Sequence, residues 1–149
     1  MPIVILARRW AGRDGSRDGM SVAASYLAWT LAEMGRPVRC LIPAGKPQPW
    51  SHDLVEWAEL RPEPTPAELR GELIITTIAP TWRRVVVAAQ RAGCVERLIY
   101  WHHHGPIPPG YGCTLARVAP GPPAPGWSRD FVLPPASWAL YEGGEPTGR

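Results

Sequence analysis

Ile3 to Leu6 is an unbroken apolar run rich in β-branched residues, the pattern of a strand covered on both faces, as in a parallel sheet. From Gly19 the spacing changes. Met20, Ala23, Leu27, Leu31 and Met34 recur at intervals of three and four, which predicts an amphipathic helix with Ala24 and Ala28 widening its inner stripe. Ser21, Ser25 and Trp29 fall on the other side of that wheel. Gly35 supplies a C-terminal stop and Pro37 prevents continuation, so Val38 to Ile42 reads as the second strand of a strand, helix, strand unit with parallel pairing.

Asp53 to Leu60 fits either period: Leu54, Trp57 and Leu60 suit a helix, and Val55 and Trp57 suit a strand. The stretch Thr65-Pro66-Ala67-Glu68 has the form of a capping box with proline at the first helical position, and predicts one short helix ending near Gly71. Leu73 to Ile78 is a third strand. A helix from Pro80-Thr81 to about Ala92 follows, burying Trp82, Val85, Val86 and Ala89 and closed by Gly93. Arg97 to Trp101 is a further strand that delivers His102, His103 and His104 past its carboxyl end. Residues 105–126 hold seven prolines and read as a long constrained loop or extended arm. A strand at Phe131 to Leu133 and a short helix from Ser137 to Glu142 complete the expected order, with residues 143–149 as a fraying tail. Alternating strands and helices predict an α/β class, a single Rossmann-like domain over residues 1–142 whose mostly parallel sheet is flanked by helices.

Composition narrows this picture. The 149 residues suit one domain, and 45% hydrophobic content suffices for one buried core. No run approaches the length of a membrane-spanning helix, and Pro2 to Leu6 is too short and lacks the basic lead of a signal peptide; a soluble, cytoplasmic chain is expected. The 16 basic residues against 13 acidic ones leave a net charge of +3, scattered in pairs such as Arg8-Arg9 and Arg83-Arg84, so nucleic-acid binding is not indicated. Cys40, Cys94 and Cys113 are odd in number and form no C-x-x-C, which suits reduced thiols.

The candidate chemistry lies beyond strand ends. Gly12, Gly15, Ser16 and Gly19 precede a helix, where small residues let backbone N–H groups and the helix dipole meet a phosphate; a plain connector satisfies the same spacing. Trp10 stands beside that loop as a stacking surface for a sugar. His102 and His104 share one side if the strand continues through them. With Cys94 or Cys113 they meet no zinc spacing rule, so neither a metal nor a cofactor is expected. Solvated or satisfied imidazoles and a sugar or phosphate contact remain as readings of the triple histidine.

Two resemblances attach to these residues. Leu27, Ala28, Leu31, Ala32, Gly35 and Val38 match the L-A-x-x-L-A-x-x-G-x-x-V frame that follows the phosphate loop in chromosome-partitioning ATPases. Met20 stands where that family has its phosphate-contacting lysine, Ser16-Arg17 where it has glycines, and Pro43 where it has an acid, so the resemblance implies no ATPase. The same frame is similar to the first helix of the N-terminal half of GT-B glycosyltransferases, with Asp18-Gly19 at the glycine pair and Arg36 at the family's histidine. Glu72 to Thr77, Trp82 to Gly93, Leu98 to Gly105 and Arg129 to Trp138 extend that resemblance over about residues 3–142, with His104-Gly105 matching the family's H-G.

The GT-B resemblance implies an acceptor-binding domain for glycosyl transfer, with His104 at the reacting site and Trp10, Gly12, Gly15, Ser16, Gly19 and His102 around the ligand. The half that would hold most of the nucleotide sugar is not in this sequence, so a second protein subunit is the implied partner. The alternative is a non-catalytic α/β protein-interaction module.

Overall fold

The computed structural model describes residues 2–7, 10, 19–62, 64–75, 79–94, 98–102, 106–117, 121–122 and 124–132. Among these residues seven strands form one sheet: β1 (Ile3–Leu6), β2 (Val38–Pro43), β3 (Val55–Leu60), β4 (Glu72–Ile75), β5 (Leu98–His102), β6 (Thr114–Arg117) and β7 (Arg129–Val132). Their order is β3-β2-β1-β4-β5-β6-β7, and every pairing is parallel. The apolar run that marked β1 has its reason here: as a central strand it is buried on both faces, Ile3 and Ile5 toward one layer and Val4 and Leu6 toward the other.

Two α-helices among the described residues cover opposite faces. Helix α1 (Gly19–Glu33) links β1 to β2 and sends Ala28, with Leu27 and Leu31 at its flanks, against Ile3, Ile5, Val38 and Cys40. Helix α2 (Ala79–Arg91) links β4 to β5 and packs Trp82, Val85, Val86 and Ala89 onto Val4, Leu6, Leu73, Ile75 and Leu98. Both end in the same cap. Gly35 and Gly93 sit at positive φ, and the N–H groups of Arg36 and Cys94 reach back to the carbonyls of Leu31 and Ala89 at 3.0 Å, as a Schellman motif requires.

The inner stripe of α1 differs from the expected one. Ala23, Ala24 and Ala28 are buried as expected and Ser21, Ser25 and Ala32 join them, whereas Leu27 and Leu31 are only half-buried and Met34 lies past the helix end in water. Small side chains let the helix axis approach the sheet closely, so the leucines serve its flank rather than its centre. Ser21 and Ser25 therefore turn inward, and Trp29 lies at the side of the layer, edge-on to Trp50.

The ambiguous stretch at 53–60 is resolved as a strand, with β3 paired to β2 from Val38↔Val55 to Pro43↔Leu60. The capped segment forms a 3-10 turn at Pro66–Leu69, with Thr65 at its N-cap and Leu69 fully buried under α2. The largest departure lies in residues 105–126. They contain β6, paired in parallel with β5 from Ile99↔Thr114 to His102↔Arg117, rather than an uninterrupted loop. Parallel strands normally need a helical crossover. Here two proline-rich connections bond to each other instead: Gly110 N–H donates to Pro125 O, Gly112 N–H to Gly126 O, and the Trp127 indole to Pro108 O. Ile107 and Trp127 thereby cover the β5 and β6 part of the α2 face. The expected helix at 137–142 and the tail at 143–149 lie outside the described residues. No helix among the described residues is long and apolar enough to cross a membrane.

Candidate functional site

The strand order reverses direction between β1 and β4. From β1 the chain moves to β2 on one side, and from β4 to β5 on the other. Open parallel sheets bind ligands in the crevice at such a switch point. Helices α1 and α2 both follow strands at this edge, and neither carries an acidic residue in its first turn. Their N-terminal dipoles are thus not neutralised by acidic side chains of the same turn.

The residues singled out from the sequence separate into three groups. Gly12, Gly15, Ser16 and His104 lie outside the described residues. Gly19 is the first residue of α1 and His102 the last of β5, which puts both at the carboxyl edge with β4 alone between β1 and β5. Trp10 lies toward β2: its indole N–H donates to the Leu41 carbonyl at 2.8 Å, and its ring stands edge-on to Trp57 at 5.1 Å. Part of its surface stays open, but one edge is committed to the α1-side core.

His102 is the end of a strand rather than a loop residue, and it is buried. It shares the α2 face with Tyr100, whose hydroxyl lies 3.3 Å from Nδ1. Burial pushes the Tyr100 phenol up to about 12, so it keeps its proton at neutral pH, and the imidazole tautomer sets which of the two groups donates. The Tyr100 ring stacks with Trp127 and tilts against Trp82 at 4.5 Å, which fixes the tyrosine and with it the imidazole.

Arg117 escaped the sequence reading. In register it stands beside His102, and across on β7 its Nε lies 3.0 Å from Asp130 Oδ1. The pair is close but out of line for a hydrogen bond, and the buried Nε and NH1 have no hydrogen-bond partner among the described residues. The one available signal was the alternation of Leu115 and Arg117, lost because a four-residue strand between proline clusters reads as loop. The edge therefore offers an imidazole with a fixed hydroxyl partner and a buried guanidinium.

Other chemistries are weakly provided for. Burial pushes the Cys113 thiol up to about 11 and the Cys40 thiol further in the same direction, so neither is a thiolate nucleophile at neutral pH. Among the described residues no group of three or more histidine, cysteine or acidic side chains converges as metal ligands. The strand order defines the class: a Rossmann-like parallel α/β domain. No protein-family model, curated protein or solved structure matches the chain.

Proposed function

We propose that this chain is the acceptor-side domain of a glycosyl-transfer site of the GT-B kind, completed by a second chain that carries the nucleotide-sugar-binding half. The observation that supports it best is that Gly19, where the glycine-rich connection enters α1, and His102, where β5 ends, share the carboxyl edge across a single intervening strand. An anionic donor at that edge meets helix N-termini free of acidic side chains in the first turn. His104, two residues beyond β5, is the contact to the reacting sugar in this reading, and His102 with Tyr100 anchors the strand end that presents it.

Hydrogen exchange of the full chain, alone and with the partner it co-purifies with, tests this directly. Adding a panel of nucleotide sugars to the pair should slow exchange around residues 19–22 and 98–102. His104→Ala should abolish transfer without changing the exchange of the core strands. A partner that binds tightly while every nucleotide sugar leaves exchange and activity unaltered would replace this reading with that of a non-catalytic interaction module.

A further inference from the structure

We propose that the chain has a second ligand site, away from the β1 and β4 crevice: a groove at the carboxyl ends of β2 and β3 that takes a phosphorylated small molecule with an apolar body. The groove encloses about 440 Å³, within the range of small-molecule clefts. Its floor is Leu60, the last residue of β3, and Val85 of α2, both part of the α2-side core surface. Pro62 and Pro64 form a wall whose backbone torsions are restricted by the ring, so the opening is held with little entropic cost on binding.

Two guanidinium groups, Arg61 and Arg84, line this otherwise apolar space, and no carboxylate is among its described lining residues. Arg61 is positioned: its Nε lies 3.1 Å from Glu68 Oε1, while the other oxygen of Glu68 accepts from both the backbone N–H and the hydroxyl of Thr65. One donor of its fork is used and the rest are available. Arg84 is exposed on α2 and has no ion-pair partner among the described residues. A phosphate monoester brings close to two negative charges and three terminal oxygens, which matches two guanidinium forks in charge and in acceptor number better than a singly charged carboxylate does. Phosphate alone would leave half-buried Leu60 and Pro64 and exposed Pro62 facing water, which is why the ligand is assigned an apolar body.

Titration calorimetry of the full chain with phenyl phosphate, inorganic phosphate and phenol at low ionic strength provides the test. Phenyl phosphate should bind more tightly than inorganic phosphate, and phenol should not bind. Arg84→Glu should weaken phenyl phosphate by about tenfold or more, as expected for loss of a charge-assisted contact and its replacement by repulsion. Because Arg84 is exposed, the variant should keep the wild-type circular dichroism and Tm. Amide shifts on titration should centre on Leu60 and Val85 rather than on Gly19 and His102, which keeps this site separable from the glycosyl-transfer reading. The proposal is overturned by absence of phenyl phosphate binding, by equal binding of inorganic phosphate, or by an affinity that Arg84→Glu leaves unchanged.

Discussion

Arg117 and Asp130 show how a single pair can be close without being comfortable. The arginine side chain is one-tenth exposed and the aspartate about one-fifth, and the 3.0 Å approach lacks hydrogen-bond alignment. Removing one member of a buried ion pair usually costs more than the pair contributes, because the other charge is left without compensation. Arg117→Met should therefore lower stability by about 2 kcal/mol, below the usual range for fully buried pairs because Asp130 retains some water. Adding Asp130→Asn should recover most of that loss in urea denaturation. Equal stability of wild type and Arg117→Met would show that the ion pair has no structural weight. Trp10 gives the complementary lesson at this scale: its place next to a glycine-rich loop was legible, but its bond to the Leu41 carbonyl depends on a strand 31 residues away.

Among the elements, the segment before β4 is the tightest. Gly71 has φ of 136°, and a Cβ there would sit 2.3 Å from the carbonyl oxygen of Pro2, at the point where β1 and β4 begin to pair at Ile3↔Glu72. The oxygen is backbone and cannot rotate away. Gly71→Ala should destabilise the fold by about 3 kcal/mol through strain and overlap together, lowering the urea midpoint with little change in slope. A variant with the wild-type midpoint would mean that Pro2 moves freely. Elements whose own sequence supplied both period and punctuation were legible: β1, β2, α2 and the body of β5, which runs one residue further than expected, through His102. Val55 to Leu60 was not, because its residues satisfy two periods and pairing with β2 decides between them. The inner stripe of α1 was misread because apolarity favoured Leu27 and Leu31, whereas proximity to the sheet favours alanine and serine. Strand β6 was hidden by its flanking prolines, since its crossovers are held by hydrogen bonds between two connections rather than by a helix.

For the whole molecule, the carboxyl-edge placement of Gly19 and His102 followed from reading strands and helices in alternation, while the Arg61 and Arg84 groove did not. It is assembled from a loop and a helix surface that meet only after β3 has returned to the sheet edge. Stability against pH is also a property of both layers. Cys40 lies in the α1-side core and Cys113 in the α2-side core, and desolvation raises both thiols, Cys113 to about 11. A thiol raised in the folded state is protonated there while the unfolded chain has already lost its proton. Its contribution is therefore complete below the ordinary thiol range near 8.5 and is lost as pH rises toward the folded value. The Tm should fall steadily between about pH 9 and pH 11, and Cys40→Ala or Cys113→Ala should make that fall shallower whatever each does to the starting Tm. Slopes identical to wild type would assign the alkaline loss to other groups.

The tryptophans are divided between the two sides of the sheet. Trp10, Trp57, Trp50 and Trp29 form a chain of edge-on neighbours on one side, and Trp82 and Trp127 flank Tyr100 on the other. Each layer thus carries its own optical label. With Trp101 and Trp138 replaced by phenylalanine throughout, also replacing Trp82 and Trp127 would leave fluorescence that reports on the first side, and replacing Trp10, Trp29, Trp50 and Trp57 instead would report on the second, so the order in which the halves loosen can be watched without attaching a dye.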